Sequence, residues 1–186
     1  MEKEKLLLHA CCAPCSSYVL EYLEKQYDIT VFYYNPNITE EAEYKKRVDE
    51  ITRFIKEAFF TQNVKLIEGT YEPAVFFDIS KGLENEPERG KRCYKCYELR
   101  LKKTAEYAKN NGFDLFTTTL SISPHKNAEW INEIGQRLSE EYGVDYLYSN
   151  FKKNNGYIRS IELSREYNLY RQNYCGCIFS KKASKN

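Results

Sequence analysis

Short apolar runs and longer amphipathic segments alternate along most of the chain. Runs rich in aliphatic, β-branched and aromatic residues predict five strands, at residues 5–10, 28–34, 64–68, 114–120 and 144–148. Helical spacing predicts four helices: residues 16–26, a long helix that starts at Thr39, a helix from Cys93 to the residue before Gly112, and residues 126–141. Residues 72–80 are predicted to form a helical turn. Strands separated by helices form a parallel sheet that is covered on both faces. The pattern therefore predicts an α/β fold class, a three-layer sandwich with a five-stranded parallel sheet, followed by an irregular cysteine-bearing C-terminal segment.

The loop after the first predicted strand is expected at the ligand-binding edge of this sheet. Ligands of such sheets bind beyond the carboxyl ends of the strands, where the order of connection reverses. A strand order of 3-2-1-4-5 places residues 11–15 opposite the loop at residues 121–124, so that thiols face the polar groups of Ser121 and Ser123. Ser16 is the expected cap of the helix that follows.

Length and composition are those of an ordinary folded domain. The chain has 186 residues and no low-complexity stretch, so residues 1–186 are expected to form a single α/β domain. The first apolar run, LLLHACCAP, is too short to cross a bilayer, and no cleavage site follows a signal core. A cytoplasmic location is expected.

The seven cysteines fall into three tight groups. They are Cys11, Cys12 and Cys15; Cys93 and Cys96; and Cys175 and Cys177. An odd number of thiols cannot pair completely as disulfides, and a cytoplasmic chain keeps most thiols reduced. One C-x-x-C pair is weak evidence, because it occurs in redox dithiols, in zinc sites and by chance. Three tight groups in one chain indicate metal ligands, and all seven cysteines are candidates.

The formal net charge of +1 hides two basic segments. Residues 89–103 contain seven basic residues against one acidic residue, and residues 152–186 contain eight against two. Such runs are often solvated helix faces, but both of these segments also carry cysteines. Positive charge beside thiols stabilises thiolates, balances an anionic metal centre and attracts a polyanion such as RNA.

Other polar residues near the predicted edge are candidates for substrate contact. Arg171 and Tyr174 lead into the last cysteine pair, where a guanidinium suits a phosphate and an aromatic ring suits a stacked base. Lys126 follows the loop at residues 121–124 and, like His125, is a candidate proton donor or phosphate contact. His9 is either a ligand or a hydrogen-bonded core residue, and Arg92, Arg100 and Lys102 are candidate phosphate contacts. The full set of substrate-binding candidates is Tyr34, Asn35, Ser121, Ser123, Lys126, Arg171 and Tyr174, and no catalytic residue is assigned.

Several motifs resemble one known family. LLLHACCAPCSS, YNPNI, CYKCYELRL, FTTTLSISPHK and LYRQNYCGCIFS are similar to segments of the cobalamin-independent epoxyqueuosine reductases of the QueH type. The resemblance covers nearly the whole chain. It implies a fold similar to adenine nucleotide α-hydrolases and PP-loop ATPases, and reduction of epoxyqueuosine in tRNA to queuosine. It also implies an iron-sulfur centre, expected as a 4Fe-4S cluster, and a second iron ion nearby.

This chemistry agrees with the cysteine pattern. Conversion of an epoxide to an alkene consumes two electrons and two protons, so an external electron donor of the ferredoxin or flavodoxin type is expected beside the tRNA. A 4Fe-4S cluster uses three or four thiolates, which leaves three or four for a second metal. Neighbouring side chains in extended backbone point to opposite sides, so one thiol of the Cys11–Cys12 pair is expected to face the cluster and the other the second metal.

Two other functions are open at this point. A tRNA-binding module with structural zinc explains the basic segments, but it explains less well a thiol-rich loop at the open edge of a sheet. A tRNA-thiolating enzyme of the PP-loop type needs a glycine-rich phosphate loop. Residues 11–16 contain no glycine.

Overall fold

The computed structural model of the chain describes residues 2–183, so the first residue and the last three positions of the predicted basic segment lie outside the described residues. The elements are β1 (Lys5–His9), α1 (Ala13–Leu23), β2 (Asp28–Tyr33), α2 (Glu41–Glu57), β3 (Lys65–Glu68), α3 (Pro73–Ser80), α4 (Lys91–Asn110), β4 (Leu115–Thr118), α5 (Ala128–Tyr142), β5 (Asp145–Tyr146), α6 (Gly156–Glu166) and α7 (Ile178–Ala183). Short 3-10 turns lie at Phe59–Thr61 and Thr119–Ile122. The predicted alternation of strands and helices is confirmed.

The five strands form one parallel sheet in the order β3-β2-β1-β4-β5. The predicted order is therefore confirmed, with β1 at the centre, where Leu7 pairs with Thr30 on one side and Phe116 on the other. From β1 the chain adds β2 and then β3 on one side of the sheet, and it returns to add β4 and β5 on the other side of β1. The loops that follow β1 and β4 therefore open onto the same crevice.

Helices cover both faces of the sheet. On one face, Leu6 and Leu8 pack in a core with residues of α1 and α2, including Leu20 and Phe54. On the other face, Leu7 packs with residues of α4 and α5, which include Leu101 and Ile134. The run of three leucines in β1 is fully buried because both faces of a central parallel strand are covered. The predicted three-layer α/β sandwich is confirmed.

Four helices, α1, α2, α4 and α5, start two or three residues away from the sequence expectations. α1 begins at Ala13, since Pro14 has the fixed φ that suits a first helical turn, and the Ser16 hydroxyl donates to the Cys12 carbonyl at 2.7 Å instead of capping the helix. The expected Ser16 cap is therefore wrong, and Cys15 lies inside the first turn. α5 begins at Ala128, after Asn127, whose side chain accepts from the amide of Trp130 at 3.2 Å.

The C-terminal segment returns across α1 and α2. α6 packs against α1. The sequence predicts a C-terminal segment that is irregular throughout, but the segment contains α6 and α7, and its irregular, cysteine-bearing part is residues 167–177 between them. Arg53 in α2 donates to the carbonyls of Tyr167 and Asn168, and the amide of Tyr170 donates to Glu50 at 2.9 Å. These contacts lead the chain to the edge where β1 ends.

Among residues 2–183, no helix is both long enough and apolar enough to cross a membrane.

Candidate metal centre and substrate cavity

Three thiols come together where β1 passes into α1, and we call Cys11, Cys12 and Cys15 the N-terminal trio. Their Sγ atoms all lie within 4.8 Å of one another, and those of Cys11 and Cys12 are 3.8 Å apart. A tetrahedral ion with metal–sulfur bonds of about 2.3 Å holds two ligand sulfurs about 3.8 Å apart. The trio therefore has the spacing of a metal site.

The thiols of Cys11 and Cys12 do not point to opposite sides, and that expectation is wrong. β1 ends at His9 and the chain bends at Cys11, so the alternation of a strand does not extend to this pair. The Cys11 amide donates to Thr119 Oγ1 at 3.3 Å, and the Cys11 Sγ lies 3.5 Å from the same hydroxyl oxygen. Thr119 thus anchors the bend from the loop after β4.

The other four cysteines form a second group, the C-terminal quartet, which consists of Cys93, Cys96, Cys175 and Cys177. The first two lie near the start of α4, and the last two lie just before α7, with their Sγ atoms 3.5 Å apart. Cys96 and Cys177 are buried against Phe76. All four thiols border a small recess of about 30 Å³. The middle and the C-terminal part of the chain therefore bring thiols from distant positions to one place.

A larger cavity of about 390 Å³ lies beside this recess. Cys11 and Cys15 border the cavity, Cys175 borders both spaces, and Cys12 lies behind the wall with 1% of its surface exposed. A volume of this size accommodates a small molecule or one nucleobase with its substituent, but no double helix. The other lining residues are Pro14, Arg47, Glu88, Arg100, Ser123, Pro124, His125, Lys126, Tyr157, Arg171, Gln172, Asn173, Tyr174 and Ser180.

Each thiol group contains one cysteine that ionises easily. The neighbouring thiols of Cys12 and Cys15 hold the pKa of Cys11 well below its ordinary value, while the pKa of Cys12 rises to about 11. In the quartet, the Cys177 thiol lowers the pKa of Cys175 to about 5 and has its own pKa raised in turn. Each group therefore contains one thiol that loses its proton more readily than an ordinary cysteine, and the thiolate is the form that binds metal.

For the two cysteines of α4, burial is the largest influence on the pKa. It raises the pKa of Cys93, and it raises the pKa of Cys96 to about 11, although Arg89 N donates to the Cys93 Sγ at 3.3 Å. The amides at the start of α4 therefore do not by themselves keep these two thiols ionised.

Two cations lie between the thiol groups. Arg100 is 3% exposed, donates to the Cys96 carbonyl and to Asn35 Oδ1, and borders both the cavity and the recess. Lys126 also borders both spaces. Burial opposes the charge on Lys126, but the thiol groups of Cys11, Cys15 and Cys175 raise its pKa above the ordinary lysine value. The site therefore carries positive charge suited to thiolates and to an anionic ligand.

Four of the seven substrate-binding candidates line the cavity, namely Ser123, Lys126, Arg171 and Tyr174. The other three lie behind its wall. Tyr34 is buried and its hydroxyl donates to Glu72 at 2.6 Å, Asn35 donates to the Ala10 carbonyl at 2.8 Å, and Ser121 accepts from the Phe151 amide at 3.3 Å. Tyr34, Asn35 and Ser121 therefore have intramolecular roles at this edge.

Two other candidates have intramolecular partners. His9 is fully buried, with one ring nitrogen 2.9 Å from Thr118 Oγ1 and the other 2.9 Å from the Tyr34 carbonyl, so both nitrogens are used and the core interpretation is supported. Burial lowers the pKa of His9 to about 4. Arg92 is also buried and donates to the carbonyls of residues 83, 84 and 86, so its guanidinium organises the loop before α4.

Arg47 and Tyr157 are among the cavity-lining residues that sequence reasoning did not single out. Arg47 lies within the charged helix α2, where nothing in the local pattern distinguishes it from its neighbours Lys45 and Lys46. Tyr157 is near the start of α6 and is one of seventeen tyrosines. Both residues reach the cavity only because the C-terminal segment folds back over α1 and α2.

The donor set fits an iron-sulfur centre together with a second metal. Seven thiols lie in a compact trio and an adjacent quartet, each with one thiol of lowered pKa, and Arg100 and Lys126 offset the negative charge that thiolate-bound metal brings. Three or four thiolates are what one 4Fe-4S cluster requires.

Comparison with known proteins gives consistent matches. A family model described as epoxyqueuosine reductase QueH matches residues 6–183. The chain is 46% identical over 182 residues to the epoxyqueuosine reductase QueH of Streptococcus pyogenes serotype M1. The aligned region covers 97% of this chain and 71% of that protein. It is 38% identical over 176 residues to the protein of the same name from Thermotoga maritima, and that aligned region covers 94% of this chain and 89% of the relative.

Proposed function

The chain belongs to the QueH family of epoxyqueuosine reductases, and we propose that it reduces epoxyqueuosine in tRNA to queuosine at the cavity bordered by the thiol groups. Both carbon–oxygen bonds of the epoxide break, a carbon–carbon double bond forms, and the oxygen leaves as water after taking up two protons and two electrons. The observation that carries this proposal is the convergence of all seven thiols beside a cavity of nucleobase size.

The trio and the quartet are proposed to bind two separate metal centres, a 4Fe-4S cluster and a single iron ion. Cys11, Cys12 and Cys15 would hold one centre, and Cys93, Cys96, Cys175 and Cys177 the other. When bound, the centres supply electrons one at a time and a Lewis acid for the departing oxygen. The electrons are proposed to come from an external one-electron carrier of the ferredoxin or flavodoxin type.

Lys126 is proposed to hold a proton at Nζ beside the departing oxygen. Its position between the thiol groups is consistent with this role, and its raised pKa keeps the ammonium form at neutral pH. Lys152 Nζ donates to the carbonyls of Ser123 and Lys126 at 3.3 and 3.1 Å, which fixes the turn that carries Lys126. Arg100 is held by Cys96 and Asn35 and supplies a fixed positive charge.

The opposite wall of the cavity is proposed to receive the tRNA. Arg171 offers a guanidinium to a phosphate, and Tyr157 and Tyr174 offer aromatic faces to a base that has left its stack. Ser123 contributes a hydroxyl near Lys126. We also propose that residues 1–186 act as one domain, because the C-terminal segment that supplies Cys175 and Cys177 docks on α2.

One assay tests the proposal. Protein prepared without oxygen is incubated with tRNA that contains epoxyqueuosine and a strong one-electron reductant, and the nucleosides are then analysed by mass spectrometry. We expect queuosine to form only in the presence of protein and reductant together, and the protein to contain iron and acid-labile sulfide. A colourless protein that contains zinc and leaves the tRNA unchanged would contradict the proposal and support a zinc-stabilised RNA-binding module.

A further inference from the structure

The guanidinium of Arg47 is buried between α2 and the turn that carries the last cysteine pair. It is 2% exposed, and its Nε donates to Glu43 one turn earlier in α2 at 2.7 Å. Its two remaining nitrogens donate to the carbonyls of Cys175 and Tyr174 at 3.0 and 3.2 Å. One rigid, charged side chain thus connects a long helix to two consecutive peptide groups of the turn.

Residues 37–39 complete a seat for this turn. Asn37 Nδ2 donates to the Cys175 carbonyl at 3.4 Å, and the Thr39 amide donates to the Gly176 carbonyl at 3.2 Å. Gly176 has a φ of +113°, and a Cβ added there would lie 2.7 Å from Ile38 Cγ1 and 3.2 Å from Arg47 Nη1. The turn therefore fits its seat only with glycine at this position.

We propose that Arg47 is a positioning residue that holds Cys175 and Cys177 at the junction of the cavity and the recess. This proposal rests on the proposed function, in which both cysteines are metal ligands. Hydrogen bonds from a charged donor are stronger than neutral ones, and the planar fork of arginine reaches two carbonyls at once where lysine reaches one. Arg47 determines whether a segment from the far end of the chain meets the thiols of α4.

Alkylation of the metal-free, reduced protein tests the proposal without any metal or substrate. Peptide mapping follows the rate at Cys177, which is 6% exposed and reacts only when the turn leaves its seat. The rate in the parent protein under the same conditions is the reference. Arg47→Met is expected to accelerate the reaction of Cys177 by about tenfold or more, and Arg47→Lys to give an intermediate rate.

Arg53→Met is the matched control. Arg53 lies on the same helix and also donates to carbonyls of the C-terminal segment, at Tyr167 and Asn168, but it does not touch the cysteine turn. This variant is expected to alkylate at Cys177 as the parent does. Circular dichroism shows whether each variant is folded, and if Arg47→Met is not, Arg47→Lys and Gly176→Ala carry the test.

The outcomes separate this proposal from the proposed function. Faster alkylation of Cys177 in the Arg47 variants alone, together with less iron bound than in Arg53→Met after reconstitution, supports the positioning role. An unchanged rate at Cys177 in Arg47→Lys, or equal acceleration in the Arg47 and Arg53 variants, overturns it. If the parent protein does not reduce epoxyqueuosine, the proposed function fails, while the alkylation rates still show whether Arg47 positions the turn.

Discussion

The Sγ atoms of Cys11 and Cys12 lie 3.8 Å apart although the two residues are adjacent in the chain. The two thiols therefore do not point to opposite sides, and Cys15 lies close to both from the first turn of α1. The quartet borders the recess, and Arg100 and Lys126 border both the recess and the cavity. We therefore expect the seven thiols to act as two ligand sets, each of which should behave as a unit.

Serine substitution of single cysteines tests this division. Cys12→Ser is expected to remove the metal of the trio and leave that of the quartet. Cys177→Ser is expected to do the reverse, because the loss of a thiolate ligand weakens only its own centre. Iron and sulfide analysis with Mössbauer spectroscopy distinguishes the two classes of iron. If both variants lose the same class of iron, the thiols belong to a single set.

The strands and the three tight cysteine spacings could be predicted because each depends on local pattern, and the strand order could be expected from the α/β class; the joining of two cysteine pairs into one quartet could not. The LLL run of β1 indicates a central buried strand, and the tight cysteine spacings indicate ligands whatever the fold. The direction of the Cys12 thiol could not be predicted, since it depends on where α1 begins. Arg47 could not be identified either, because its partner Cys175 lies 128 residues further along the chain.

Substitution of Arg171 is expected to weaken tRNA binding by the loss of one phosphate contact. The slope of log affinity against log salt should become less negative by about 0.7, the value for one contact to a single strand. Binding titrations with Arg171→Gln over a range of salt concentrations measure this slope. Arg165→Gln is the control, because Arg165 is also exposed in the same basic segment but does not line the cavity. Equal slopes for the two variants would place the tRNA elsewhere.

Glu50 is expected to make the free energy of unfolding depend on pH. Burial opposes its charge, but hydrogen bonds from Arg53 and the Tyr170 amide lower its pKa below 4.5. Since the folded chain binds this proton less readily than the unfolded chain, the stabilisation is complete above pH 4.5 and is lost as the pH falls through the lowered pKa.

Urea unfolding of the metal-free protein measures this effect. At pH 7, Glu50→Gln is expected to lower the free energy of unfolding by about 1 kcal/mol, and the difference from the parent should shrink as the solution is acidified. Glu57→Gln is the control, because Glu57 pairs with the same arginine but its side chain is 51% exposed, so little stability should be lost. A difference between Glu50→Gln and the parent that does not change with pH would show that the charge of Glu50 is irrelevant.

Lys126 is expected to affect the rate of reduction more than the binding of tRNA. Its ammonium group borders the cavity beside thiols of both groups, so it is placed to meet the oxygen that leaves the substrate rather than the tRNA backbone outside. Loss of a positioned proton donor typically costs about a hundredfold or more in rate. Lys126→Met should therefore lower kcat per bound iron by about that factor while the affinity for tRNA changes little.

Two further variants separate this role from simple charge. Lys126→Arg keeps the positive charge but releases its proton far less readily, so it should retain iron as the parent does and still reduce slowly. Lys153→Met removes an exposed lysine nearby that does not line the cavity, and it should behave as the parent in both rate and affinity. If Lys126→Arg restores the full rate, Lys126 acts through its charge alone, and the proton that leaves with the oxygen must come from another group or from water.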